Sequence, residues 1–270
     1  MRNQLPPSKV LEEAIVEICE LAKEKDVGLL FDAEQQPVQP GIDAWTLEFQ
    51  KRYNRVRERA LIYGTYQAYL RSTPATLAKH LAAAADGGFT LGVKLVRGAY
   101  LGSDPRHLFW NQKEETDRTY NEIAGSLMRR DWGDVLLPPT GHSQKFPEVN
   151  LVVASHNLDS VKKAMDVRKQ QVREGEKGIH VEYGQLMGMA DHISCELIQA
   201  GNLEKSLQEN GNEKVDPPMA YKYLVWGTVA ECLKYLLRRA EENRDAVVRT
   251  EEGRLALRAE LGRRLFGFRA

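Results

Sequence analysis

Two adjacent arginines, Arg238 and Arg239, lie in the helical stretch KYLLRRAEEN, close to Tyr235 and Glu242. Two planar guanidinium groups side by side can bind both oxygens of a small carboxylate through charge-assisted hydrogen bonds. An ordinary amphipathic helix whose charged face meets water would show the same spacing. Spacing alone favours the solvated helix, so the choice depends on the elements that position the pair.

The helix that carries this pair is predicted to begin just after the last apolar segment of the chain. Thr228, followed three residues later by Glu231, forms a capping box, which marks a helix start. Tyr235, the two arginines and Glu242 then fall on one face. The opposite face is apolar and consists of Val229, Cys232, Leu233, Leu236, Leu237 and Ala240. A helix directly after the last strand of a barrel can pack over its catalytic face, which favours the carboxylate-binding interpretation.

Short apolar segments recur along the chain, and most are near-continuous runs, as is typical of strands covered on both faces. There are seven, at residues 27–34, 60–69, 89–100, 107–113, 149–157, 179–186 and 220–227. Stretches with helical spacing separate them, such as 72–88 and 160–175. This alternation predicts a parallel α/β fold, either a (βα)8 TIM barrel or a doubly wound sheet.

Two features favour the barrel. The usual glycine-rich phosphate-binding loops of doubly wound folds are missing. Several predicted strands end in polar residues, and in a barrel such strand ends converge on the face that holds the active site. These residues are Asp32, Glu34, Gln67, Arg97, Tyr100, His156, Asn157 and Gln185.

The order of elements at the start of the chain is unusual for a barrel. Residues 8–25 predict a helix, with one apolar stripe of Leu11, Ile15, Ile18 and Ala22. Because a barrel normally opens with a strand, a leading helix and seven strands suggest that the first strand is missing. Residues 131–149 predict a surface loop marked by Pro and Gly.

Composition narrows the possible classes of protein. The chain has 38 basic and 38 acidic residues, which argues against nucleic-acid binding, since that affinity depends mainly on excess Lys and Arg. Three widely spaced cysteines are expected to be reduced thiols, and the histidines show no metal-ligand spacing. No apolar run reaches the roughly 20 residues that cross a bilayer, and residues 1–10 show neither a signal peptide nor a transit-peptide pattern.

Six motifs occur in a fixed order: DAEQQ at 32–36, GTYQAYL at 64–70, KLVRGAYL at 94–101, QLMGMADHIS at 185–194, YKYLVWG at 221–227 and YLLRRAEENRDAV at 235–247. Together, from about Val27 to Thr250, they resemble the catalytic domain of proline dehydrogenase of the fungal mitochondrial type. The resemblance implies a (βα)8 barrel over residues 1–250 that holds FAD without a Rossmann fingerprint. It implies oxidation of L-proline to Δ1-pyrroline-5-carboxylate, with electrons passed to ubiquinone at the matrix side of the mitochondrial inner membrane.

The resemblance also implies roles for individual residues. Arg238 and Arg239 would bind the proline carboxylate, and Tyr223, Leu186 and Tyr235 would enclose the ring. Asp32 and Tyr100 would supply neighbouring polar contacts. Glu242 would lie close to the flavin and the arginines. The remaining expected FAD contacts are Gln67, Lys94, Arg97, Gly98, Ser155, His156 and Asn157, with Gln185 and Lys113 as weaker candidates.

Several of these residues have a structural alternative. Asp32 is as easily a strand-end cap or a salt-bridge partner as a substrate contact, and His156 is as easily a hydrogen-bonding core residue. Tyr63, Tyr66 and Tyr69 are expected to be packing residues. Residues 251–270 form a basic amphipathic tail that could touch a membrane peripherally, but packing on the outside of the barrel is favoured.

Alternative functions also stay open. The first strand of the family carries a lysine that reaches substrate and flavin, and no counterpart precedes Val10. A truncated homologue without catalytic activity is therefore an alternative to the enzyme. Hydroxyproline dehydrogenase is another. In that sister family a smaller residue stands at the position of Tyr223, so Tyr223 favours proline as the substrate.

Overall fold

A computed structural model describes residues 6–56, 58–141, 145–209, 216–242 and 250–266. The chain divides into two compact units, Met1–Tyr183 and Gly184–Ala270. No helix in the described ranges is both long enough and apolar enough to cross a membrane.

The first unit alternates helices and strands from its first element onward. Its elements are α1 (Lys9–Glu24), β1 (Leu29–Phe31), α2 (Gln39–Tyr53), β2 (Ile62–Gln67), α3 (Thr73–Gly87), β3 (Leu91–Val96), a 3-10 helix (Arg106–Leu108), α4 (Lys113–Arg129), β4 (Val149–Ala154), α5 (Leu158–Glu174) and the first residues of β5 (His180–Leu186). The second unit contains the end of β5, then α6 (Asp191–Glu209), β6 (Met219–Tyr223), α7 (Val229–Glu242) and α8 (Thr250–Phe266).

The strands β1 to β4 pair in parallel and in chain order. Phe31 lies opposite Gly64, Thr65 lies opposite Lys94, and Lys94 lies opposite Val152. Every residue of β2 is buried, which agrees with the near-continuous apolar run in its sequence. The predicted parallel α/β class is therefore confirmed. Because the strands are parallel, their carboxyl ends lie along one edge of the sheet.

The segment 107–113 is not a strand, and that prediction is wrong. Its apolar side chains cover the chain just beyond the end of β2. The Phe109 ring stacks on Tyr69 with centroids 4.6 Å apart, and Trp110 donates from its indole Nε1 to the Ala68 carbonyl at 3.0 Å. An apolar run of this length can line a buried loop as well as form a strand, and periodicity does not separate the two.

The predicted apolar stripe of α1 is only partly correct. Ala22 is buried and Ile15 packs against the core, as expected, but Leu11 and Ile18 are exposed. Cys19 is fully buried and completes the packed face. That face therefore follows positions 15, 19 and 22, at spacings of four and three residues.

Other local predictions hold. Gly88 and Gly175 follow the last residues of α3 and α5, and their positive φ angles of 64° and 71° suit a left-handed C-terminal cap. Residues 131–141 and 145–148 contain no helix or strand. Tyr63, Tyr66 and Tyr69 are buried packing residues.

Two buried amides tie α2 to the sheet. Gln50 donates to the Gly92 carbonyl at 3.1 Å and accepts from the Gly92 amide at 2.9 Å. Asn54 donates to the carbonyls of Ile62 and Thr90, at 2.8 and 3.0 Å, and accepts from the amides of Leu61 and Ile62, at 3.0 and 2.9 Å. These side chains satisfy backbone groups at the starts of β2 and β3, which lie away from water.

Asn54→Ala should destabilise the protein by ~2–4 kcal/mol, because it leaves several buried backbone groups without partners. Urea unfolding would measure the change in free energy of unfolding. Asn111→Ala is the matched control: Asn111 is exposed and its side chain accepts from Arg71, so its loss should cost ~0.5 kcal/mol or less. Equal effects of the two substitutions would contradict the role given to Asn54.

Candidate active site

Lys94 in β3 and Asp32, just after β1, form an ion pair across the intervening strand β2. The side chain of Lys94 is 14% exposed, whereas that of Asp32 is 54% exposed. Asp32 is thus a salt-bridge partner, which is one of the structural alternatives predicted for it. The pair neutralises a mostly buried ammonium group at the end of an apolar strand.

Arg97, one residue past β3, is held by three side chains. Its Nε and Nη2 donate to Asp117 Oδ1, at 3.1 and 2.7 Å. Its Nη1 donates to Ser155 Oγ at 2.8 Å, and its Nη2 also donates to Ser160 Oγ at 2.9 Å. The guanidinium carbon lies 4.6 Å from the centroid of the Tyr120 ring, within cation–π distance. Arg97 is therefore rigid, and its charge is balanced.

Asp117 accepts from two cations at once. Lys113, four residues earlier on α4, donates to Asp117 Oδ2, while Arg97 donates to Oδ1. Burial alone would raise the pKa of Asp117, but the hydrogen bonds from Lys113 and Arg97 outweigh it and lower the pKa below its ordinary value. Lys113 thus lies in the same network as Arg97.

The loop after β3 depends on Gly98. Its φ is +144°, and a Cβ at this position would lie 2.3 Å from the Tyr69 ring, so no other residue fits without a shift. The buried Gln67 accepts from the Ala99 amide at 3.2 Å. Tyr100 donates to the Ala33 carbonyl and to Glu34 Oε2, at 3.1 and 2.9 Å. Gln67, Gly98 and Tyr100 therefore shape one edge of the sheet.

The polar side chains just after β4 form hydrogen bonds with residues that follow them in the chain. Ser155 Oγ accepts from the Asn157 amide at 3.1 Å. Asn157 caps α5, since its side chain accepts from the Ser160 amide at 2.9 Å. His156 lies between them and is half-buried. The structure thus brings Ser155 to Arg97 and gives Asn157 a capping role, which the sequence analysis did not assign.

In the second unit, α7 begins with the predicted capping box. The Thr228 amide donates to Glu231 Oε2 at 2.9 Å, and the Glu231 amide donates to Thr228 Oγ1 at 3.4 Å. The hydrogen bonds from Thr228 also lower the pKa of Glu231.

Tyr235 is the centre of an aromatic and cationic cluster on α7. The guanidinium carbons of Arg238 and Arg239 lie 5.9 and 5.5 Å from the centroid of its ring. The Tyr223 ring at the end of β6 lies 6.2 Å away, centroid to centroid, at an interplanar angle of 31°. The structure therefore brings four predicted substrate-binding residues together. Glu242 belongs to α7, but its side chain lies outside the described residues.

Helix α7 does not follow the usual amphipathic arrangement. Tyr235 and Arg239 are half-buried, whereas the apolar face is exposed at Val229, Leu233, Leu236 and Leu237. Arg238 is exposed. The solvated-charge interpretation fits Arg238 but not Arg239.

Gln185 and Leu186 lie at the end of β5. Gln185 Oε1 accepts from Ser194 Oγ at 2.9 Å. Gln185 is 2% exposed, and its Nε2 has no acceptor among the described residues. Leu186 accepts from the Met189 amide at 3.1 Å. Buried amide nitrogens are nearly always hydrogen-bonded, so this donor is a candidate ligand contact.

Three residues of these networks are not among the predicted site residues: Asp117, Ser160 and Lys222. Asp117 follows Lys113 by four residues on a helix, which is a recognisable pairing signal. Lys222 donates to the Met189 carbonyl and to Asp191, each at 2.7 Å. Nothing in the local sequence identifies those partners.

Parallel strands with charged and amide side chains at their carboxyl ends are typical of an α/β protein that binds its ligand at that edge. A model of the family described as "Proline dehydrogenase" matches residues 3–252. The chain belongs to the proline dehydrogenase family.

Relatives and solved structures agree with this assignment. The chain is 32% identical to "Probable proline dehydrogenase, mitochondrial" of Schizosaccharomyces pombe, over 92% of this chain and 49% of the relative. It is 35% identical to "Proline dehydrogenase 1, mitochondrial" of Homo sapiens, over 97% and 40%. It is 32% identical to "Hydroxyproline dehydrogenase" of Rattus norvegicus, over 93% and 50%.

Among solved structures, the fold is similar to proline utilization A from Bdellovibrio bacteriovorus. The TM-score is 0.60 and the identity 21%, over 87% of this chain and 22% of that chain. At this identity the likeness concerns the fold. The chain spans about half the length, or less, of the curated relatives named above.

The charge on Asp117 should make a measurable, pH-dependent contribution to stability. The pKa of Asp117 is lower in the folded state, so its contribution is fully present above the unfolded pKa, about 4, and is lost as pH falls through the folded value. Asp117→Asn should therefore lower the free energy of unfolding by ~1–3 kcal/mol at pH 7. The difference from the parent protein should shrink at pH 3. Urea unfolding at both pH values measures it, and a difference independent of pH would contradict the assignment.

Proposed function

We propose that the protein oxidises L-proline to Δ1-pyrroline-5-carboxylate with FAD as its cofactor, and that a quinone reoxidises the flavin. The observation that carries the proposal is the cluster on α7, where two adjacent guanidinium groups lie against one tyrosine ring. Membership of the proline dehydrogenase family supports it.

The α7 cluster suits a small amino acid with a carboxylate. Arg238 and Arg239 are adjacent like charges, and an anion between such charges is favoured electrostatically. A guanidinium presents two parallel N–H groups to a carboxylate and so fixes its orientation. The rings of Tyr223 and Tyr235 provide apolar surface of the kind that a pyrrolidine ring needs. Arg239 would bind the carboxylate, and Tyr223 and Leu186 would contact the ring.

The hydrogen-bond donors of the described residues also fit FAD. The buried Nε2 of Gln185 has no acceptor among the described residues, and a carbonyl or ring nitrogen of a flavin would satisfy it. Lys94 and Arg97, each beside the aspartate that it pairs with, would supply N–H donors to a pyrophosphate or an anionic reduced flavin. FAD would supply the hydride acceptor for oxidation of the ring. Gln67, Gly98, Ser155, His156 and Asn157 are proposed as further contacts on the first unit, and Glu242 on the second.

The cellular setting and the complete fold are proposed from the family. Relatives named mitochondrial support a mitochondrial location, with ubiquinone of the inner membrane, on its matrix side, as acceptor. A complete (βα)8 barrel is proposed for the fold over residues 1–250. For the tail, α8 packs near α6, since a Cβ at Gly253 would lie 3.9 Å from His192 Nδ1. This packing supports the interpretation that the tail lies on the protein rather than on a membrane.

Hydroxyproline oxidation is the second candidate, because hydroxyproline dehydrogenases of rat and mouse are 32% and 33% identical to the chain. Tyr223 separates the two candidate substrates. The centroid of its ring lies 6.2 Å from the centroid of the Tyr235 ring. A full-sized tyrosine ring leaves less room for an added hydroxyl group than a small side chain would. Tyr223 therefore supports proline, rather than hydroxyproline, as the substrate.

Purified protein should show flavin absorption at ~450 nm that bleaches on addition of L-proline, because the reduced flavin no longer absorbs there.

Arg239→Met should retain the flavin but raise the KM for proline, since losing a charge-assisted bidentate contact costs ~2–4 kcal/mol. Arg258→Met, on the exposed face of α8, is the matched control and should leave KM unchanged.

Flavin that proline does not reduce would reject the proposed activity. Unchanged kinetics of Arg239→Met, in an active protein, would reject only the role of the arginine.

Tyr223→Ser should raise the ratio of hydroxyproline to proline turnover by opening space beside the ring. A change of this kind in a pocket is worth ~1–3 kcal/mol of discrimination. The measurement is kcat/KM for both substrates with parent and variant. An unchanged ratio would show that Tyr223 does not line the substrate site.

A further inference from the structure

The loop between β1 and α2, residues 32–38, has no regular secondary structure, yet its backbone is held by buried side chains. The Glu34 amide donates to Gln39 Oε1 at 2.6 Å, and the Gln36 amide donates to Asp104 Oδ1 at 3.0 Å. Gln39 and Asp104 are each 7% exposed. These two acceptors therefore fix the course of the chain at alternate residues of the loop.

Gln39 is itself held in place from α2. Its Nε2 donates to Asp43 Oδ1, one helical turn later, at 2.7 Å. This bond fixes the orientation of the amide, so that the oxygen faces the loop. Burial raises the pKa of Asp43 to about 6, so at pH 8 the acceptor is an ionised carboxylate. The hydrogen bonds from Gln39 to Asp43 and from Glu34 to Gln39 thus connect the loop to α2.

Two further elements hold the same loop. Tyr100 donates to the Ala33 carbonyl and to Glu34 Oε2, and Gln67 Nε2 donates to the Glu34 carbonyl at 3.4 Å. The loop also carries Asp32, the ion-pair partner of Lys94. The position of the loop therefore sets where Asp32 meets Lys94.

We propose that Gln39 and Asp104 are positioning residues that hold the 32–38 loop in the arrangement in which Asp32 pairs with Lys94, a proposed flavin contact. They act through the loop and need not touch the flavin. The effect on flavin binding rests on the function proposed above, whereas the effect on the loop does not. If the loop must be ordered before flavin binds, then a variant that orders it in a smaller fraction of molecules binds flavin more weakly by that fraction.

The test compares two buried glutamines of the same helix in the full chain at pH 8. Gln39→Leu removes both hydrogen bonds of the Gln39 side chain. Gln50→Leu also removes two, but those bonds go to Gly92 of β3. Both variants should lose stability, and only Gln39→Leu should release the loop.

Hydrogen–deuterium exchange at Glu34 should become about tenfold faster in Gln39→Leu and stay unchanged in Gln50→Leu. The dissociation constant for FAD, measured by titration of flavin-free protein, should rise about fivefold to tenfold in Gln39→Leu and stay nearly unchanged in Gln50→Leu. Asp104→Asn keeps an acceptor oxygen and should keep slow exchange at Gln36, whereas Asp104→Leu should lose it.

Unchanged exchange at Glu34 in Gln39→Leu would overturn the proposal, as would equal acceleration in Gln50→Leu. Faster exchange with an unchanged dissociation constant for FAD would refute the link between the loop and flavin binding. If the parent protein does not turn over proline, the proposed activity fails, and the exchange data still decide whether Gln39 and Asp104 position the loop.

Discussion

The constraint on which the first unit depends is the neutralisation of two cations at the end of a buried strand. Lys94 belongs to β3, and Arg97 directly follows its last residue. Residues 91, 93 and 95 of β3 are fully buried. A cation in such a place is costly unless it is paired and hydrogen-bonded. The fold supplies Asp32 to Lys94 and Asp117 to Arg97. The loop after β1 and helix α4 are therefore held by the cations in β3 and just after it.

The parallel register makes this pairing possible. Thr65 of β2 lies opposite Lys94, and Phe31 of β1 lies opposite Gly64, so the residue that follows Phe31 is placed at the level of Lys94. Helix α4 comes after β3 and presents Asp117 to Arg97, while β4 brings Ser155 from the other side. Residues that follow β1 and β4 and residues of α4 and α5 thus converge on two side chains.

The sequence predicts much of this arrangement, but not all of it. The polar strand ends were visible because each follows a near-continuous apolar run, as Gln67 and Arg97 do. Ion pairs between distant segments could not be read from the sequence, because Lys94 and Asp32 are joined only by the strand register. Hydrogen bonds from the two ends of α2, those of Gln39 and Asn54, cannot be read from the sequence either, since both look like ordinary polar helix positions. The strand wrongly predicted at 107–113 has a related cause: Phe109 is buried and Trp110 half-buried within a loop, and such burial does not follow a strand period.

Helix α7 shows why the arginine pair resisted interpretation from spacing. An amphipathic helix of a folded domain normally buries its apolar stripe, and under that rule Arg238 and Arg239 would both meet water. Instead, Tyr235 and Arg239 are half-buried while Leu233, Leu236 and Leu237 are exposed. A local rule broken in this way is more frequent at functional sites, where a binding requirement outweighs packing. The half-burial of Arg239 agrees with the carboxylate-binding role proposed for it above, because an arginine that only kept the helix surface polar would face water, as Arg238 does.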